Sequence, residues 1–212
     1  MKWVAFFSQS GSEIANLCYE NREDLIARGI GTGGWPDVII TDNTDIVSWD
    51  PSMRDLYDPL CIEPNKKRPI FHVIHDKSKC KCVSDLSELI GGSDNGEIII
   101  TLHGWLHIVP SLVCHVFDIY NGHPGMISRY PELKGKDPQQ KVIDRSMHYS
   151  WIGSVVHKVI PEVDGGQILF EENCKRSIID RLFRKNVVFD QLRETSFKCW
   201  TKFFKSFPKE PT

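Results

Sequence analysis

Three side chains in this sequence have the types and spacing for acyl chemistry. Asn121 and His123 stand two apart in Asn121-Gly122-His123-Pro124-Gly125, at the end of an extended run. Strand alternation puts residues two apart on one face, so a carboxamide and an imidazole would point together. The carboxamide can donate to a developing oxyanion and the imidazole can move a proton. Taken alone, the pair also reads as a turn Asn followed by a loop His. Asp164 follows 41 residues after His123, in the tight Asp164-Gly165-Gly166 connection. A carboxylate there could orient an imidazole, although Asp-Gly-Gly is also ordinary hairpin punctuation.

Other clusters offer less. Ser10-Gly11-Ser12 lies between a first strand and a first helix, where backbone N–H groups can hold a phosphate or carboxylate of a substrate. The competing reading has Ser10 cap the helix and Glu13 complete a capping box. Gly29, Gly31, Gly33 and Gly34 close a helix and precede a strand. A dinucleotide fingerprint needs the reverse context, so a helix end and loop is the better account. His72, His75, Cys80 and Cys82 cluster in sequence, but a strand would turn the two histidines to opposite faces. No metal site is expected.

These residues need a scaffold, and the apolar pattern supplies one. Unbroken apolar runs predict strands over 3–8, 37–43, 69–76 and 97–104, with further strands over 118–121, 151–160 and 167–172. Such runs belong to a mostly parallel sheet with helices on both faces. Helices are predicted over 13–28, 83–90, after Pro110 and over 137–147. Residues 44–68, rich in Asp and Pro, read as a long loop with one helical turn. Val188, Leu192, Cys199, Trp200, Phe203 and Phe207 recur at helical spacing and predict a C-terminal docking helix. The expectation is an α/β fold with one Rossmann-like domain: a catalytic part over 1–172 and a helical extension over 173–212 packed on it.

Composition narrows the function classes. The 212 residues carry 26 Lys and Arg against 28 Asp and Glu, for a net charge of −2. That balance argues against nucleic acid and anionic membranes as partners. The opening apolar run is far shorter than a membrane span of about 20 residues. Seven scattered cysteines fit a reducing, cytoplasmic compartment better than a disulfide framework.

Four segments, taken in order, resemble the folate-dependent formyltransferases, of which glycinamide ribonucleotide transformylase is the compact prototype. They are VAFFSQSGSEIANL, HGWLHIVP, NGHPGMISRYPELKG and GSVVHKVIPEVDGGQIL. The third is similar to the family's N-x-H-P-S-L-L-P-x-Y-x-G block and the fourth to its G-T-S-V-H-x-V-x-x-x-x-D-x-G block. The resemblance covers 1–172 apart from the long loop. It implies that N10-formyltetrahydrofolate gives its formyl group to a primary amine of a small substrate, nucleotide- or sugar-linked. The family's catalytic Asn, His and Asp fall on Asn121, His123 and Asp164, with a protonated His123 stabilising the oxyanion. The pterin is then expected against Leu106, Ile108 and Val109, with Trp105 as a wall and the segment from Val156 through Val163 closing over it. Ser10, Gly11 and Ser12 match the acceptor loop, but Glu13 stands where the prototype has Asn. A formyltetrahydrofolate hydrolase and a folate-binding module without turnover are the alternatives. The chain is expected to be a monomer or homodimer. Its length leaves no room for the C-terminal barrel of methionyl-tRNA formyltransferases.

Overall fold

The computed structural model describes residues 1–58, 60, 68–75, 83–91 and 97–209. Seven strands, β1 (Lys2–Phe7), β2 (Val38–Thr41), β3 (Ile70–Val73), β4 (Ile98–His103), β5 (Ile119–His123), β6 (Trp151–Lys158) and β7 (Ile168–Lys175), form one sheet ordered β3-β2-β1-β4-β5-β6-β7. β1 pairs in parallel with β2 and β4, and β2 with β3, whereas β6 and β7 are antiparallel. The chain divides into two compact units, Met1–Tyr120 with Lys205–Thr212, and Asn121–Phe204.

In the first unit, β1 and β2 are almost wholly inaccessible to solvent from Trp3 through Phe7 and from Val38 through Thr41, as expected for strands covered on both faces. The predicted single helix over 13–28 is two helices, α1 (Ser12–Glu20) and α2 (Arg22–Ala27). Asn21 breaks them, its side chain hydrogen-bonding the Leu17 carbonyl at 3.3 Å. A short polar side chain that binds its own backbone competes with helical pairing. The segment read as one helical turn contains a longer helix, α3 (Pro51–Tyr57), because Asp50 accepts from Ser52 N–H and Pro51 occupies the first helical position. The remaining helices of this unit are α4 (Val83–Ile90) and α5 (Ser111–Val116).

The second unit carries α6 (Pro138–Asp144), α7 (Ile178–Phe183) and most of α8 (Val188–Lys205). α8 ends before Phe207, so the predicted stripe is helical through Phe203 only. Ile127, Leu133, Val142, Tyr149, Ile152, Val155, Val188 and Leu192 form its core. Trp200 fills the space over Gly122: a Cβ on that glycine would lie 2.5 Å from the indole Nε1. Among the described residues no helix is long and apolar enough to cross a membrane.

Candidate active site

β5 and β6 deliver the second unit's polar cluster. Asn121 and His123 end β5, and His157 sits near the end of β6. Asp164 follows in the turn with φ 47°, in the left-handed region, which Asp tolerates better than most residues. The chain bends there so that one carboxylate meets both histidines. His123 Nδ1 lies 3.2 Å from Asp164 Oδ2, and His157 Nε2 lies 3.3 Å from Oδ1. Gly135, at φ 81°, donates its backbone N–H to Oδ2 at 2.8 Å. Asn121 Nδ2 completes the set, 3.4 Å from Asp164 Oδ1 and 3.2 Å from His157 Nε2.

The loop beside this cluster is held from several sides. Lys141 on α6 donates to the carbonyls of Glu132 and Lys134 at 3.0 and 2.9 Å, and Leu133 is buried in the core. That fixes the Leu133 carbonyl 2.9 Å from His123 Nε2. Both ring nitrogens of His123 therefore face acceptors, and the ring is only 5% exposed. Gly125 leaves it just enough room, since a Cβ there would stand 3.0 Å from Nε2.

Charge is distributed unevenly. Burial alone would raise the Asp164 carboxyl, but the His157 hydrogen bond, the His123 charge and the Gly135 N–H together hold it at about 2. Burial pulls the His123 pKa below its ordinary value, opposed by the Asp164 carboxylate and the Leu133 carbonyl. The expected protonated His123 is thus disfavoured by desolvation in the resting site. Asp164 is anionic, within ion-pair distance of both rings.

The other predicted site residues fall elsewhere. In the first unit Trp105, Ile108 and Val109 line an apolar cleft with Phe6, Leu102 and Ile119. Trp105 packs edge-on against Phe6 at 5.1 Å and against His107 at 4.9 Å. The cleft holds about 30 Å³, room for a water or two and not for a fused ring system. Its walls are aromatic and aliphatic. Leu106 does not line it and is 63% exposed. Val156 and Val163 belong to the second unit, the former buried in β6 and the latter exposed.

Ser10, Gly11 and Ser12 precede α1 as expected, but the capping box does not form. Gly11, at φ 72°, is the N-cap and no side chain caps the helix. Ser10 Oγ is engaged with the Ser12 hydroxyl at 3.0 Å and accepts the Ser12 N–H at 3.3 Å. Glu13 turns away to His103, whose Nδ1 lies 2.7 Å from its carboxylate, and Thr101 bridges His103 Nε2 to the Trp3 indole. A phosphate at this loop would have to displace Ser10 beside a fixed carboxylate. His72 lies in β3, whereas Cys80 and Cys82 lie outside the described residues. Among those described, no three His, Cys, Asp or Glu side chains gather to hold a metal.

The sequence reading missed His157, Gly135 and the Leu133 carbonyl as members of the cluster. His157 was legible in principle: as a polar residue in an apolar strand, only 2% exposed, it requires a buried partner. The backbone groups leave no mark in sequence.

No protein-family model matches the chain, and no curated protein matches its sequence. Solved structures do. A phosphoribosylglycinamide formyltransferase from Anaplasma phagocytophilum aligns with TM-score 0.70 and 15% identity over 97% of this chain and 85% of that one. A sugar N-formyltransferase from Shewanella sp. aligns with TM-score 0.62 and 18% identity over 100% and 74%. A formyltetrahydrofolate deformylase from Pseudomonas syringae pv. tomato aligns with TM-score 0.62 and 16% identity over 97% of this chain and 62% of that one. The chain therefore has the fold found in these formyl-handling proteins, as its sequence motifs imply.

Proposed function

We propose that the protein is a formyltransferase moving a formyl group from N10-formyltetrahydrofolate to a primary amine of a small substrate. The observation that carries this reading is the Asp164 carboxylate shared by His123 and His157 with Asn121 beside it. N10-formyltetrahydrofolate supplies an activated formyl carbon. Asn121 Nδ2, resting on Asp164 Oδ1, swings its N–H onto the formyl oxygen as negative charge develops there. The attacking amine must lose a proton and the departing N10 of tetrahydrofolate must gain one; anionic Asp164 with its two imidazoles takes up the first and returns a proton to N10 as the formyl C–N10 bond breaks. His123 enters through its Nδ1 contact to Asp164, because its Nε2 proton is occupied by the Leu133 carbonyl.

The acceptor is proposed to lack a phosphate at the first loop, since Glu13 and the engaged Ser10 leave that position hostile to an anion. An amine-bearing sugar or nucleoside fits this better than a phosphorylated glycinamide. The reading is tested by incubating the protein with N10-formyltetrahydrofolate and a panel of amines while following tetrahydrofolate release. Amine-dependent release that Asn121→Ala lowers by about 10²–10³ supports it. Formate release independent of any amine would assign water as the acceptor instead, and turnover unchanged in Asn121→Ala would overturn the site.

A further inference from the structure

The second unit has a second polar hollow, at the other end of β6 from the catalytic cluster. It opens where the chain leaves α6, with Asp144, Arg145, Ser146, His148 and Arg181 as its polar lining and Met147 and Leu182 as its apolar lining, and has a volume of about 450 Å³. β6 begins at Trp151, three residues after His148 of this hollow, and His157 lies near the strand's other end, roughly 20 Å from Trp151 at strand rise. The two sites do not overlap.

At Ser146 the hollow's wall backs onto a buried cation that does not itself line it. Arg176 is 1% exposed. Its Nη1 donates to Ser146 Oγ at 3.1 Å and its Nη2 to the Asp180 carbonyl at 3.0 Å, while its Nε has no partner. No carboxylate pairs with it among the described residues. Asp180 exerts the main opposing field, but that carboxylate is engaged by Ser177 and lies 3.9 Å from Arg184. A buried guanidinium with no carboxylate in direct contact is only partly compensated by the Asp180 field, and burial still disfavours its charge.

The wall passes that charge to the hollow. Ser146 is 3% exposed and accepts from Arg176, so its own O–H remains to donate. Arg181 gives Nη1 to the Met147 carbonyl at 2.9 Å, and its buried Nε is unpartnered. Arg145 is exposed and free of side-chain partners among the described residues. Asp144 offers the one carboxylate of the lining, and it accepts from Gln140 at 2.7 Å. We propose that this hollow binds the phosphate group of a small phosphorylated ligand, held by Arg145, Arg181 and the Ser146 hydroxyl. Guanidinium forks match phosphate oxygens, and the volume lies within the range of small-molecule pockets.

Isothermal titration of the full chain with inorganic phosphate and with ADP tests this. Saturable one-site binding is expected, weakened about tenfold by Arg145→Ala and by Arg181→Ala and unchanged in His123→Ala. Arg145→Ala removes an exposed side chain with no hydrogen bond or ion pair among the described residues, so a native circular dichroism spectrum and melting temperature are expected of it, and it carries the test even where Arg181→Ala unfolds. No saturable binding at millimolar ligand, binding indifferent to Arg145→Ala, or acetate binding as tightly as phosphate would each overturn the proposal. Because His123→Ala disables the proposed chemistry without touching this hollow, the outcome stands apart from that of the formyltransferase assignment.

Discussion

At the scale of the residue, Asp164 concentrates the site's electrostatics and makes its pH behaviour predictable. Its folded pKa of about 2 lies below the ordinary 3.8, so ionised Asp164 stabilises the fold above pH 4, and that contribution is lost as pH falls towards 2. The linkage amounts to about 2 kcal/mol. His123 works in the same direction at higher pH. Its lowered pKa means the unfolded chain binds that proton more readily, so stability falls as pH drops below about 6.5. Denaturation midpoints across pH 7 to 2 are expected to show two steps. His123→Gln should remove the upper one and Asp164→Asn the lower. Asn tolerates the left-handed backbone that Asp164 adopts, so the second variant reports charge and not backbone strain. A single acid transition unmoved by either substitution would contradict this account. Asn121 and His123 were legible as a pair because side-chain chemistry and strand alternation are both written in sequence, while Asp164 joined them through the motif resemblance. The engagement of His123 Nε2 by a carbonyl was not legible, because every residue has a carbonyl and only the fold chooses which one points inward.

At the scale of the element, the packing of α8 behind the end of β5 links the helix to the chemistry. Gly122 separates Asn121 from His123, and its missing side chain is where the Trp200 indole lies. Gly122→Ala must push either the indole or the strand. Overpacking of this kind costs about 1–3 kcal/mol, and displacement of β5 moves both neighbours out of register with Asp164. A lowered urea midpoint together with reduced kcat is expected, and Gly122→Ala with Trp200→Phe should recover part of both by shrinking the ring. A stable, fully active Gly122→Ala would refute the coupling. The aromatic stripe that foretold α8 is a helical period readable without a structure. Its partner is a glycine, which sequence alone cannot distinguish from a turn residue. The same limit explains the first helix: the apolar period runs from residue 13 to 28, and only the buried Asn21 side chain, bonded to Leu17 O, divides it. Glu13 has the spacing of a capping box, yet His103, 90 residues away, takes the carboxylate. Local rules gave way wherever a distant buried partner competed.

At the scale of the whole molecule, the parallel arrangement of β1 to β4 follows from apolar runs dense enough to need cover on both faces, which is why the α/β architecture was readable from the chain while the strand order was not. The same burial governs the cysteines. Cys18 and Cys199 are completely buried, and desolvation raises the first well above its ordinary value and the second to about 12. Cys114 and Cys174, partly buried, are raised for the same reason. Thiolate is the reactive form, so at neutral pH none of these four has appreciable nucleophile present. Cys18 belongs to the first unit and Cys199 to the second, so the two thiols report the opening of each unit separately. Pulse labelling with iodoacetamide across a urea gradient, read by mass spectrometry, is expected to leave both unmodified below the transition. If the two units unfold together, both become labelled at one midpoint; labelling of Cys199 at lower urea than Cys18 would show that the second unit opens first. Modification of either in the absence of denaturant, at the rate of a free thiol, would contradict the packing described for β6, α1 and α8.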